Sequence, residues 1–204
     1  MIISISGAHG TGKSTVLDLV SNQLTDALTS ALSHRKVRRM PSASLSAWED
    51  YFHLLYPGRS HEEWETLPKE DQEFFQLYVM NHSTASLLSM FGSDDVIIMD
   101  RCVYDMHVYS IVKDINPKLR KLSEDIFLKT ADYVDMYFLL TPELQYPMDD
   151  KSSRASYSRE DVNAVFLELS KHILMPFDIV PDGSLESKAE FIVQEIMKML
   201  LLGS

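Results

Sequence analysis

Gly7-Ala8-His9-Gly10-Thr11-Gly12-Lys13-Ser14 is a complete Gly-x4-Gly-Lys-Ser/Thr loop, a pattern whose residue types suit the binding of phosphate. Its glycines let backbone N–H groups turn inward around an anion, at the positive end of the helix that follows. Lys13 can reach the β- and γ-phosphates of a nucleotide, and the Ser14 hydroxyl can ligate Mg2+. Gly7, His9, Gly10, Thr11, Gly12, Lys13, Ser14 and Thr15 are therefore the expected nucleotide-binding residues, with His9 in a free position that only lines the loop. The context agrees: Ile2, Ile3 and Ile5 make a β-branched strand before the loop, and Thr15 to Val20 opens a helix after it. A bound nucleoside triphosphate is the expectation.

A second group follows a second apolar strand. Val96-Ile97-Ile98-Met99 runs directly into Asp100-Arg101-Cys102-Val103-Tyr104-Asp105. An acid at the carboxyl end of a buried parallel strand lies in the crevice where such sheets bind ligands. There Asp100 can hold the Mg2+ of a nucleotide or take a proton from an acceptor hydroxyl, and it can equally cap the next helix. Arg101 can fork onto a phosphate or a developing charge. Asp105, in the first turn of that helix, is a candidate for a ribose or metal-water contact; an exposed helix-start acid is the alternative. The remaining histidines lack metal-ligand spacing, and Cys102 reads as a packing residue.

The elements that must position these groups alternate between strand and helix. Strands are expected near 2–6, 35–40, 95–99, 133–140 and 177–180. Helices are expected at 13–32, in pieces at 45–56 and 61–66, then at 69–91, 101–113, 118–131, 158–173 and 185–202. That order means an α/β fold with a parallel sheet covered on both faces. Ser158-x-x-Asp161 is a capping-box variant at a helix start.

Bulk properties narrow the class. At 204 residues, and with no repeat or linker, one domain over 1–204 is expected. A net charge of −11 disfavours a broad nucleic-acid surface, which needs clustered Lys and Arg. The single cysteine rules out an internal disulfide and fits a reducing cytosol. A first strand at Ile2 leaves no room for a signal peptide, and no apolar run reaches the ~20 residues that span a bilayer. The expected location is cytoplasmic, without a membrane partner.

Several segments resemble a family. Asp100-Arg101-Cys102-Val103-Tyr104 resembles the Asp/Glu-Arg-Ser/Tyr segment of deoxynucleoside and thymidylate kinases. Phe75-Gln76-Leu77-Tyr78 is similar to the Phe-Gln-x-Tyr helix of deoxynucleoside kinases, and Pro41 and Trp48 are similar to their Glu-Pro…Trp stretch. The resemblance implies a three-layer P-loop kinase fold, with a five-stranded parallel sheet flanked by helices and a basic lid. It implies that Gln76 reads a base edge, that Phe74 or Phe75 stacks on it, and that Tyr104 and Asp105 line the acceptor. The acceptor region would span 38–92. The segment 141–160, carrying Lys151, Arg154 and Arg159, resembles the family's lid, whose arginines neutralise the transferred group. Pro181-Asp182-Gly183-Ser184 is where the family's adenine would rest.

One departure stands out. Where deoxynucleoside kinases carry a catalytic Glu after the second strand, this chain has Arg38-Arg39-Met40-Pro41. Either Asp100 serves as base, or the acceptor is already a phosphate, held by Arg38 and Arg39. The stretch after the second strand, with the later Phe-Gln, also resembles small nucleotide kinases of bacteriophages, some of which modify hydroxymethylated pyrimidines within DNA. If so, the location is the host cytoplasm.

The expected activity is ATP- and Mg2+-dependent transfer of the γ-phosphoryl to a nucleoside, nucleotide or related acceptor. Lys13, Asp100, Arg101, Arg154 and Arg159 are the expected catalytic residues; Arg38, Arg39, Phe75, Gln76, Arg101, Tyr104 and Asp105 would bind the acceptor; Ser14 and Asp100 would place the metal. The alternatives are a kinase of hydroxymethylated pyrimidines in DNA and a non-kinase P-loop switch. The oligomeric state stays open, a homodimer included.

Overall fold

A computed structural model describes residues 1–31, 33–58, 67–143, 157–171 and 177–202, apart from the side chains of Trp48, Tyr51 and Leu202. Strands β1 (Ile2–Gly7), β2 (Val37–Met40), β3 (Val96–Asp100), β4 (Met136–Leu140) and β5 (Phe177–Ile179) form one sheet. Its order is β2-β3-β1-β4-β5, and every pairing is parallel. The helices are α1 (Lys13–Ser30), α2 (Ala43–Ala47), α3 (His53–Leu55), α4 (Lys69–Met90), α5 (Val103–Val112), α6 (Pro117–Thr130), α7 (Arg159–Ser170) and α8 (Leu185–Leu202). The expected α/β class and five-stranded parallel sheet are what the structure has.

Strand alternation divides the core into two layers. Ile3, Ile5, Val96, Ile98, Met136, Phe138 and Leu140 point to one face, where Val16, Leu17, Val20 and Leu24 of α1 and Ile192 and Ile196 of α8 cover them. Ile2, Ile97, Met99, Tyr137 and Leu139 point to the other, under Val108 of α5, Phe127 of α6 and Val162 and Phe166 of α7. A sheet buried on both faces needs continuous apolar strands, which is why β3 and β4 read as unbroken hydrophobic runs. A third cluster, Ala47, Phe52, Leu67, Phe75, Val79, Met80 and Met106, packs α4 against α5 and the short helical pieces after β2.

The boundaries differ from expectation where a local constraint intervenes. The helix expected from 101 begins at Val103, because Arg101 adopts φ 68° and Cys102 is an extended N-cap. The strand expected from 133 begins at Met136, because Ala131–Tyr133 forms one 3-10 turn. α6 begins at Pro117, whose missing N–H is no loss at a helix start, with the Asn116 side chain accepting from Lys118 N at 3.0 Å. The pieces expected at 45–56 are α2, a π-helical turn over Trp48–Phe52 and α3. The capping box at Ser158 and Asp161 is present as expected, whereas the piece at 61–66 lies outside the described residues.

One buried polar knot joins α5 to α6. His107 Nδ1 lies 2.9 Å from Ser123 Oγ, Ser110 Oγ is 2.8 Å from the same hydroxyl, and the imidazole stacks on Phe127 at 5.8 Å. Burial holds the His107 pKa below its ordinary value. The unfolded chain therefore binds this proton more readily than the folded one. The stability is fully present above about pH 6.5 and is lost as pH falls toward the depressed folded value. Wild type should lose more of its urea midpoint between pH 7.5 and pH 5 than His107→Gln does; parallel losses would remove His107 as the cause.

Candidate active site

β1 ends at Gly7, and the chain turns there into the phosphate-loop sequence. Two glycines are required, Gly7 by space against backbone and Gly12 by its backbone conformation. Gly7 has φ 151°, and a Cβ on it would lie 2.6 Å from the Leu140 carbonyl oxygen; Gly12 has φ 76°, and a Cβ there would lie 2.5 Å from Leu185 Cδ2. Thr11 Oγ1 donates to the Ala8 carbonyl at 3.0 Å and tightens the turn. Gly12 is the N-cap of α1 and brings no side chain to cap it, so the first-turn amides face the cradle of the loop with the helix dipole behind them. Ser14 and Thr15 are exposed at the helix start.

Parallel pairing of β1 with β3 sets Ile5 opposite Asp100. The carboxylate thus emerges beside the loop, and Lys13 Nζ lies 3.0 Å from Asp100 Oδ1. The two side chains are 11% and 13% exposed. Burial, together with the nearby Arg101 charge, pushes the Lys13 ammonium below its ordinary pKa, while Asp100 pulls it back.

Arg101 follows in a left-handed conformation, its N–H donating to the Ile5 carbonyl at 3.2 Å. Its Nε lies 4.0 Å from Asp105 Oδ1, and its guanidinium carbon sits 5.0 Å from the centre of the Tyr109 ring. Asp105 is fully buried. Its Oδ2 accepts from Ser6 Oγ at 2.6 Å and from the Cys102 N–H at 3.0 Å, closing a capping box at the start of α5. Burial raises the Asp105 pKa, with Arg101 and the Ser6 hydrogen bond opposing that rise. Cys102 is also buried, its thiol pushed up to about 12, which leaves it a packing residue without thiolate chemistry.

The opposite wall is tied by a buried ion pair between Glu143, just after β4, and Lys188 of α8. Glu143 Oε1 also accepts from the Gly183 N–H at 3.3 Å, and Thr141 Oγ1 donates to Asp182 Oδ1 at 3.2 Å. The loop at 181–184 is thereby fixed beside Gly12, with Leu185 against it.

Residues 2–188 match the protein-family model described as an AAA domain. The chain belongs to that family. No curated protein sequence matches it. Among solved structures, it is similar to a deoxyadenosine kinase from M. mycoides with bound dATP, at TM-score 0.65 and 16% identity, over 96% of this chain and 99% of that one. The same kinase with dCMP and a flexible dCDP bound gives a TM-score of 0.63 at 16% identity, over 98% and 100%. NadR in complex with NR gives 0.65 at 14% identity, over 97% of this chain and 50% of that one. At these identities the likeness is one of fold, and that fold is the P-loop kinase fold.

The structure brings together Lys13, Asp100 and Arg101 from the sequence-derived set, and it corrects others. Tyr104, expected to line an acceptor, has no exposed surface: its hydroxyl donates to the Phe166 carbonyl at 2.7 Å and its ring packs on Phe127, Tyr137 and Phe166. Asp105 is a buried acid and not an exposed one: its Oδ2 accepts from Ser6 and Cys102, and its Oδ1 faces Arg101 Nε at 4.0 Å. Arg38 and Arg39 are each paired with a carboxylate. Alternation on an edge strand sends them to opposite sides, Arg38 to Asp95 at 2.6 Å, before the amino end of β3, and Arg39 to Asp18 on α1. Phe75 is buried in the α4–α5 cluster, Phe74 is exposed, and Gln76 Nε2 is 3.5 Å from the Met106 carbonyl. Arg159 is buried and lies 2.9 Å from Glu160 through Nε; with Pro142 and Asn163 it lines a cleft of about 370 Å³. Lys151 and Arg154 lie outside the described residues.

Ser6, Tyr109 and Tyr157 were not singled out from sequence. A serine inside a strand carries no signal alone. Tyr109, however, sits one helical turn beyond Asp105, a spacing that was available. Asp105→Ala leaves the Cys102 N–H without its acceptor and Arg101 without its nearest buried carboxylate. We expect a loss of roughly 3 kcal/mol in urea unfolding; a loss under about 0.5 kcal/mol, the size of an ordinary surface change, would contradict this.

Proposed function

We propose that this protein is a phosphotransferase that moves the γ-phosphoryl of ATP to a hydroxyl of a nucleoside or closely related acceptor. The observation that carries this reading is the juxtaposition of Lys13 and Asp100 at the carboxyl end of the parallel sheet, beside the phosphate loop. The loop amides from Gly7 to Thr15, with His9 on their edge, would hold the donor phosphates, and Lys13 would bridge the β- and γ-oxygens. Residues 38–92 would form the acceptor side and 141–160 the lid, within a single domain. Arg154 and Arg159 would neutralise charge on the transferred group as the lid closes.

Ser14 and Asp100 fit a magnesium ion as far as the protein contributes to one. Mg2+ is usually held by one or two protein oxygens, with phosphates and waters completing its shell, and no cluster of three or more metal-ligating side chains occurs among the described residues. When bound, the ion neutralises phosphate charge. The chain's own groups do the rest. The acceptor oxygen forms a bond to the γ-phosphorus, the bond from that phosphorus to the β–γ bridging oxygen breaks, and the acceptor proton passes to Asp100. Arg101 would orient the acceptor.

A neutral hydroxyl suits this site better than a phosphate acceptor. Arg38 and Arg39, the cations that would have held a monophosphate, are engaged by Asp95 and Asp18. A polymeric DNA acceptor is disfavoured by the net charge of −11. The AAA-domain match leaves a nucleotide-driven switch as the competing reading, since that family description names no acceptor. We expect labelled γ-phosphate from ATP to appear on a deoxynucleoside in a panel that also holds monophosphates and hydroxymethyluracil-containing DNA. Asp100→Asn should lower that transfer by about a hundredfold or more. Label on DNA alone would transfer the assignment to the polymer kinase, and inorganic phosphate released at one rate with every acceptor would leave the switch.

A further inference from the structure

Three rings meet beside the phosphate loop, and the roles proposed above do not account for their meeting. The His9 ring centre lies 5.7 Å from that of Tyr109 and 5.8 Å from that of Tyr157, and the two tyrosines are 6.0 Å apart, edge to face. The Tyr109 hydroxyl is 3.4 Å from His9 Nδ1. Each ring comes from a different piece of chain: the phosphate loop, the middle of α5, and the residue just before the Ser158 N-cap of α7. The His9 ring therefore packs into this cluster.

The cluster also fixes Arg101. Its guanidinium lies 5.0 Å over Tyr109, Lys113 Nζ approaches the same ring at 5.8 Å, and the buried Asp105 holds the Arg101 Nε from the other side. Asp105 in turn bonds Ser6, the residue before Gly7. Two routes thus join the phosphate loop to Arg101, one polar through Ser6 and Asp105, one aromatic through His9 and Tyr109. The aromatic route continues to the start of α7 through Tyr157. The capping box of Ser158 with Asp161 makes the join between Tyr157 and Arg159 a fixed turn.

We propose that His9, Tyr109 and Tyr157 form a positioning unit that registers the start of α7, and Arg159 with it, against the nucleotide-loaded phosphate loop. The proposal rests on the phosphotransferase reading for its consequence, but the coupling itself requires only nucleotide binding. Aromatic contacts of this kind are individually weak. Their effect is geometric: a displacement of about 1 Å at a reacting centre can lower turnover by about a hundredfold while leaving ground-state binding nearly intact. Tyr157 is thus a positioning residue, acting through α7 and not on the phosphates.

The test combines His9→Ala, Tyr157→Ala, Tyr157→Phe and the double variant His9→Ala/Tyr157→Ala. Calorimetry would measure MgATP binding, hydrogen exchange would follow the amides of Arg159 to Val162, and turnover would be measured with whichever acceptor takes the label in the panel assay. Each alanine variant should lower turnover at least about tenfold, and Tyr157→Ala, which lies outside the phosphate loop, should change nucleotide affinity less than about threefold. Tyr157→Phe keeps the ring and should restore turnover. The double variant should lose no more than the worse single, as residues of one unit do. In wild type, MgATP should slow exchange in the first turn of α7, and in either alanine variant it should not. Multiplying losses, a defect confined to nucleotide affinity, or unchanged α7 protection in both alanine variants would each overturn the proposal. If wild type binds MgATP but transfers no phosphoryl, the phosphotransferase reading fails, and the exchange result alone upholds or overturns the unit. Wild type that binds no nucleotide overturns both.

Discussion

The ion pair between Lys13 and Asp100 is the contact around which the site is arranged. Neither residue is near the other in sequence; the pairing of Ile5 with Asp100 across β1 and β3 brings them to 3.0 Å. Both side chains are largely withdrawn from water, and each offsets the desolvation of the other. The pair also keeps a cation and an anion at the mouth of a loop whose amides already point at a common centre. Such a place suits a group rich in negative charge, as the phosphates of a nucleotide are.

Holding that pair in register requires a rigid corner, and the chain builds one from buried polar groups. Arg101 in a left-handed conformation turns the chain sharply out of β3. Asp105 secures the turn by accepting from Cys102 N–H and from Ser6, so the ends of β1 and β3 are joined through a single carboxylate. A carboxylate buried this deeply has its pKa raised, and the nearby guanidinium together with the Ser6 and Cys102 hydrogen bonds works against that rise. On the far side, Glu143 and Lys188 do the equivalent work, joining the exit of β4 to the loop before α8. The phosphate loop is therefore braced from both neighbours of β1.

Arg38 and Arg39 show how a charge pattern misleads when read without partners. Two adjacent arginines at the end of a strand look like an anion site, yet on an edge strand they must point to opposite faces. Asp95 and Asp18 were each within reach, and each pairs with one of the arginines. Tyr104 misleads in the other direction. It follows a motif residue and carries a hydroxyl, but the Phe166 carbonyl satisfies that hydroxyl inside the core. Resemblance to a motif ties a residue to a position in the chain; it does not decide on which side of a helix the side chain falls.

What the sequence determined by itself was the local chemistry. The spacing of Gly7, Gly12, Lys13 and Ser14 needs only one turn of chain to become a phosphate cradle, and the apolar runs at 95–99 and 133–140 read as buried strands, the second of which starts only at Met136. The capping box at Ser158 and Asp161 was legible for the same reason, since its bonds close within four residues. The tertiary structure alone decided which of these local pieces meet. Strand order placed Asp100 on Lys13, burial made Asp105 an internal brace, and packing of α7 on α5 brought Tyr157 to His9. Those outcomes depend on contacts between residues far apart in the chain, and such contacts are fixed by how whole layers pack rather than by any spacing a single segment can carry.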